Sequence, residues 1–332
     1  MTSEPVWFGR DERPLFGWFE VPDDGVARGG VVLCQSFAVE TASAKPTFGV
    51  LSHRLAEAGF AVLTFDYDGT GDSVGDDDDP RRVDAWRSSV RAAIDFVGAA
   101  GCSWTAVVAL RLGATVAAAE LAAGPGVDAA VLWDPCASGR TFLREQSLIR
   151  KIIARGEILD DGSVEAPGMV FAPETVEDLK GLFLEGAHLA DRMLVLTRSS
   201  RSLSEQVTRK LDGPDVEWRA VDGQEQLVDV EPARVIMPHP TLDTIVAWLA
   251  STVGDDRQPV RAQTAGPGRV GLTTDGLPIV ECPVWLGPNR LFGIEASVEG
   301  AGSSTAVLFL NAGAIDHVGP ARVWVTMARS LA

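Results

Sequence analysis

The chain has 332 residues, with 29 Lys and Arg against 46 Asp and Glu for a formal charge of −17, and 46% hydrophobic residues at a mean hydropathy of +0.10. That composition is globular, and the length suits one large domain or two smaller ones. The acidic balance repels phosphate backbones and excludes nucleic acid on electrostatic grounds, while no window reaches the roughly 18–20 uninterrupted apolar residues of a membrane span.

The N-terminal Met1-Thr-Ser-Glu-Pro lacks a basic stretch followed by an apolar one, so the reading is a cytoplasmic protein. Residues 5–21 read as an antiparallel hairpin with Trp7, Phe8, Phe16, Trp18 and Phe19 on its faces. Short apolar runs at 30–34, 61–65, 104–108, 129–133, 193–197 and 216–220 then alternate with amphipathic stretches at 49–58, 80–97, 114–123 and 242–250. Strands alternating with crossover helices predict an α/β protein: a mostly parallel sheet with helices on both faces and the hairpin as its antiparallel edge.

Residues 138–190 break the alternation. Helical pieces at 141–155 and 173–184 flank a Gly/Pro-rich stretch at 156–173, and an excursion of this length predicts a helical lid over the carboxyl ends of the strands. Its apolar residues Phe142, Leu143, Leu148, Ile149, Ile152 and Ile153 suit an apolar ligand tail and the packing of the lid equally well. Residues 254–271 turn to Gly, Pro, Gln, Asp and Arg without apolar periodicity, which places a linker at about 251–275, after a first domain at 1–250.

Beyond the linker the chain restarts its own beginning. Pro5-Val-Trp7 recurs as Pro283-Val-Trp285, Leu15-Phe-Gly17 as Leu291-Phe-Gly293, Val32-Leu33 as Val307-Leu308, and Leu55-Ala56 as Leu331-Ala332. Four matches in order, at offsets of 278, 276, 275 and 276, indicate an internal duplication, with residues 276–332 the beginning of a second copy. One helix and one or two parallel strands cannot bury their own faces. The expectation is therefore the front part of a tandem two-copy protein.

Cofactor and metal signals are weak. Cys34, Cys102, Cys136 and Cys282 lack Cys-x-x-Cys or Cys/His spacing, which argues for free thiols and against zinc. The four Asp at 76–79 lie in a Gly/Pro-bounded stretch and read as a solvated loop rather than a metal cluster. Gly69-Thr-Gly71 lacks the rest of a phosphate loop. No cofactor and no metal are expected.

The strand at 104–108, the turn Ala109-Leu-Arg-Leu-Gly113 and the small-residue helix after it have the layout of a nucleophile elbow, in which small residues two before and two after the nucleophile permit a tight strand-to-helix turn. Together with Val31-Val-Leu-Cys-Gln-Ser-Phe-Ala-Val-Glu40, Ala58-Gly-Phe-Ala-Val-Leu-Thr-Phe-Asp-Tyr-Asp-Gly-Thr-Gly-Asp-Ser73 and Leu132-Trp-Asp-Pro135, this makes the first 250 residues resemble an α/β-hydrolase of the serine aminopeptidase-like type, among them the bacterial hydrolases associated with exosortase systems. Leu310-Asn-Ala-Gly313 with Val318-Gly-Pro320 resembles the opening of a second such domain. The resemblance implies the α/β-hydrolase fold and a Ser-His-acid site acting on an ester, acyl or amide bond.

The sequence departs from that pattern at the site. The nucleophile position falls on Arg111, whose guanidinium stays protonated and forms no acyl intermediate. Arg198-Ser-Ser-Arg201 stands where the acid is sought, Asp134 being the substitute, and Asp222-Gly-Gln-Glu-Gln226 stands where the histidine is sought, with His239 further on. Arg111 reads either as a structural arginine paired with Glu40 or Asp134, or as a holder of a small acyl or anionic ligand beside the backbone N–H groups of Ser36, Phe37 and Leu112. Asp134 reads as a turn or cap residue or as a catalytic acid, His239 as an exposed helix start or a weak catalytic candidate, and Ser36 as a displaced nucleophile only with a base nearby. Asp72 and Ser73 read as stabilisers of their turn.

The leading expectation is a first copy that lacks the triad and serves as a ligand-binding or supporting domain, a pseudoenzyme whose partner is a second α/β-hydrolase copy on the same or another chain. The alternatives are an interaction module without enzymatic activity, and a non-covalent catalyst in which Arg111 polarises a carbonyl while Asp134 or His239 moves a proton.

Overall fold

In a computed structural model of the chain, residues 2–153, 161–186, 188–200, 203, 205–230, 232–261, 267–302, 305–311 and 317–332 are described. The main sheet has eight strands: β1 (Thr2–Arg10), β2 (Arg13–Val21), β3 (Gly30–Cys34), β4 (Ala61–Phe65), β5 (Thr105–Leu110), β6 (Val127–Trp133), β7 (Ala190–Arg198) and β8 (Val216–Val221). Their order is 1-2-4-3-5-6-7-8. The β1–β2 hairpin joins β4 antiparallel, and the remaining pairings are parallel.

Period-2 alternation divides the strand residues between two cores. Val32 and Cys34 of β3 and Val107 and Ala109 of β5 face α2 (Arg82–Ala99) and α3 (Leu112–Ala123). Val31 and Leu33, with Ala106, Val108 and Leu110, face α1 (Val39–Glu57) and α8 (His239–Thr252). These strands are buried on both sides, which is why they read as continuous apolar runs.

The α1 helix begins ten residues before the amphipathic stretch expected at 49–58. Its first half turns Glu40, Ser43, Ala44 and Thr47 inward, so a buried face made of polar and small groups carries no apolar period. The excursion after β6 contains α4 (Gly139–Ile153) and α5 (Pro173–Gly181). The stretch at 156–173 is not simply a connection, because Val164–Ala166 and Met169–Phe171 pair as a small hairpin. Phe142 and Leu143 are buried, Leu148 is exposed, and the side chains of Ile152 and Ile153, like residues 154–160, lie outside the described residues. Two short helices, α6 (Glu205–Leu211) and α7 (Gln224–Val228), flank β8.

The stretch expected as a linker is anchored at both ends. Gln258–Pro259 pairs with Val26–Ala27, and Arg257 donates to Asp24 at 2.6 Å. Gly268–Leu272 is itself a strand, β9, which forms an antiparallel sheet with β10 (Pro278–Leu286) and β11 (Leu291–Val298). That sheet packs on the hairpin, with Val270 and Ile279 buried against Trp7, Phe16 and Val74. The last helix is α9 (Val323–Leu331). Residues 305–311, which hold the Val307-Leu308 match to β3, form no strand. Ala312 and Gly313 lie outside the described residues.

Candidate functional site

The site is built where β5 turns into α3. Arg111 is the turning residue, at φ 55 and ψ −121, in a region that costs a non-Gly residue of order 1–3 kcal/mol. Its backbone is fixed from several sides: its N–H donates to the Trp133 carbonyl of β6, and its own carbonyl accepts from Ala114 and Cys136. Two residues on, a Cβ at Gly113 would lie 2.1 Å from the Gln35 carbonyl, so the close approach of α3 to the loop after β3 demands glycine.

The guanidinium of Arg111 is surrounded by carboxylates. It donates to Glu40 Oε1 at 3.4 Å, to Asp134 Oδ2 at 3.4 Å, and to Glu145 Oε2 of α4. Gln146 donates to Glu40 Oε1 at 3.1 Å, and Ser36 Oγ to Glu40 Oε2 at 2.7 Å. Asp134 also accepts from Arg198 Nε at 2.7 Å, and Arg198 bridges onward to Asp229. Two arginines thus face four carboxylates.

The side chains of Glu40 and Arg111 are 2% and 6% exposed. Burial pushes the Glu40 and Asp134 carboxyls above the usual range, although the arginines pull the other way. Burial opposes the charge on Arg111, yet the surrounding acids outweigh it and hold the guanidinium protonated. The Cys136 thiol is pushed far up by burial and is no nucleophile at neutral pH.

The structure brings together Arg111, Asp134 and, through Glu40, Ser36. Phe37 lies in an aromatic stack, with ring centroids 4.7 Å from Tyr67 and 4.3 Å from Trp86, and Leu112 is fully buried. Their side chains are core. His239 is exposed, its Nδ1 2.7 Å from Arg54 Nη2. Arg54 stands fourteen residues after Glu40 on α1, roughly 21 Å along a helix, so His239 belongs to the other end of that helix. Ser36 Oγ donates to the Glu40 carboxylate at 2.7 Å, and that carboxylate is also held by Arg111 and Gln146. Ser73 serves the turn after β4, where its Oγ donates to the Asp66 carbonyl and accepts from the Phe16 N–H, whereas the Asp72 carboxylate meets His317 Nε2 at 2.5 Å, far along the chain.

Sequence reading did not find Glu145, Gln146, Arg198 or Asp229 as members of this cluster. The available signal was polar residues set among the apolar positions of α4, and an arginine ending a strand whose preceding residues are apolar. Among the described residues no group of His, Cys, Asp and Glu is placed to hold a metal ion, and no helix is long and apolar enough to cross a membrane.

The strand order, the two helical layers and the strand-to-helix turn at Arg111 are those of the α/β-hydrolase fold. The chain is similar in structure to Est1E from Butyrivibrio proteoclasticus, solved with ferulic acid, at TM-score 0.56 and 12% identity over 74% of this chain and 98% of that one. It is also similar to the hypothetical protein PA2218 from Pseudomonas aeruginosa (TM-score 0.56, 17% identity, 76% and 94% covered) and to a putative hydrolase from Agrobacterium vitis S4 (0.51, 16%, 76% and 99%). The sequence matches no family model and no curated protein.

Proposed function

We propose that residues 1–250 form a hydrolase-fold domain that performs no covalent acyl transfer and serves as a supporting domain for a second α/β-hydrolase copy. The observation that carries this reading is Arg111 at the nucleophile turn with Glu40, Asp134 and Glu145 closed around its guanidinium. A Ser-His-acid mechanism needs a hydroxyl or thiol at the turn and an imidazole within about 3 Å of it. The imidazole of His239 is instead engaged by Arg54. The ion pair of Arg111 with Glu145 ties α4 to the sheet, an arrangement suited to support.

A test is stoichiometric labelling by a serine-reactive fluorophosphonate, run beside hydrolysis of p-nitrophenyl acetate, butyrate and octanoate. The expected result is neither labelling nor turnover above the buffer rate. One mole of label per mole of chain would overturn the reading.

A second reading, an acyl or anionic ligand at Ser36, Phe37, Arg111, Leu112 and Asp134, draws on one observation: the buried Nε of Arg111 has no hydrogen-bond partner. Against it stands the excess of carboxylates, which repels an anion. A cavity of about 240 Å³, lined among others by Phe16, Trp18, Lys45, Phe48, Ser52 and Asp66, lies elsewhere, and no member of the Arg111 cluster lines it. A thermal-shift panel of acetate, phosphate and acyl-CoA separates the two readings, since a supporting domain gives no shift that Arg111→Met abolishes.

A further inference from the structure

The two hairpins share more than short matching words. In the first, Val6 lies opposite Gly17 and Trp7 opposite Phe16; in the second, Val284 lies opposite Gly293 and Trp285 opposite Phe292. The pairing register is the same, and the drop in offset from 278 to 276 falls in the connecting turn. The hairpins also touch. Phe16 meets its own counterpart Phe292 at 6.2 Å between ring centroids, and Trp18 packs on Phe292 and Trp285 at 4.7 and 6.1 Å.

The residues that follow differ sharply in burial. Val32 and Leu33 of β3 are 0% exposed between β4 and β5, whereas their counterparts Val307 and Leu308 are 62% and 68% exposed, and Leu310 is 74% exposed. On α1, Leu51 and Leu55 are fully buried against the sheet. Their counterparts on α9, Met327 and Leu331, keep the four-residue spacing of one helix face and stand in solvent. Large apolar residues left in solvent at the very positions that the first unit buries mark an interface rather than ordinary surface.

We infer that residues 305–311 and 323–331 form a docking edge for a polypeptide that supplies parallel strands, a hydrolase-type sheet that would flank 305–311 as β4 and β5 flank β3. The repeat specifies the occupant, because the same residue pattern in the first unit is covered by parallel strands on both sides and by a helix laid across them. A second copy of this chain does not fit: its β4 and β5 are already paired inside an eight-stranded sheet. A lone extended peptide would pair with 305–311 but leave Met327 and Leu331 bare. The inference is independent of what Arg111 does.

The test compares amide exchange of 305–311 and 323–331 in the purified 332-residue chain with that in the assembly isolated intact from the natural source. The expected result is about 100-fold slower exchange of both segments in the assembly. Leu308→Asp, introduced in the natural source, should abolish that protection, while Leu272→Asp, at a residue 67% exposed on β9, should leave it. Equal exchange in the two samples would overturn the inference. So would concentration-dependent dimerisation of the isolated chain that itself protects 305–311, or protection gained on phosphatidylcholine vesicles.

Discussion

Replacing Arg111 by Ser would put a hydroxyl at the nucleophile turn and remove the cation shared by Glu40, Asp134 and Glu145. Taking one partner from a buried ion pair costs about 3–5 kcal/mol, because the remaining charge stays buried without compensation. Arg198 still holds Asp134 at 2.7 Å, and Glu145 is 19% exposed. The main loss therefore falls on Glu40, 2% exposed and left with the neutral donors Ser36 and Gln146. That places the cost near the lower end, about 3 kcal/mol, or on the order of 10 °C in Tm. The sign with pH follows from protonation. A carboxyl whose folded pKa is raised binds more protons folded than unfolded, so its contribution to stability falls as pH rises above the ordinary carboxylate range. Without Arg111 the Glu40 carboxyl rises further, so the deficit at pH 8 should exceed that at pH 5. Urea denaturation at both pH values measures it. A variant within about 1 kcal/mol of the parent at pH 8, or one worse at pH 5, would refute this account of the cluster.

The same cluster predicts that Glu40→Gln, which keeps the shape and removes a raised carboxyl, leaves stability at pH 8 unchanged or higher and flattens its decline between pH 5 and 8. Gly113→Ala should cost about 2 kcal/mol or more in denaturant midpoint, since the added Cβ would lie 2.1 Å from the Gln35 carbonyl. Arg322 donates to the carbonyls of Gly71, Ser73 and Gly75, and Arg329 to that of Asp72 at 2.7 Å. Arg322→Met should therefore speed amide exchange at 71–76 and proteolysis after residue 261; unchanged rates would show that the contacts do not hold the two units together. Phe292→Ala should free the three-stranded sheet from the hairpin and red-shift tryptophan emission, and an unshifted spectrum would contradict the packing of Trp18 on Phe292.

The parallel strands were legible because each is buried on both faces and therefore apolar throughout, and Leu110-Arg-Leu-Gly113 located the turn because steric need leaves a glycine in the sequence. The charged cluster was legible only in part. Glu40 and Asp134 sit beside recognisable motifs, but Glu145 and Asp229 come from segments 34 and 118 residues from Arg111, and no local pattern links them. The first half of α1 was hidden by its polar inward face, and β9 by glycines that composition assigns to a connection. Residues 305–311 show the converse. Their pattern matches that of the core strand β3, yet they form no strand, and Val307 and Leu308 stand in solvent.

The aromatic face of the first hairpin has a consequence in time as well as in space. Trp7, Phe16 and Trp18 are made early, while Phe292 and Ile294, which pack against them, are made about 276 residues later. At roughly 5–20 residues per second of synthesis, that face waits on the order of 15–55 seconds for its cover. A lone hairpin is only marginally stable, but once residues 61–65 have paired with it the aromatic face is in place and stays uncovered for the rest of that interval. Slowing elongation anywhere between residues 30 and 290 should lengthen the wait and raise the fraction of chains lost to aggregation, whereas polar residues at 16 and 18 should lower it at the expense of docking the C-terminal sheet.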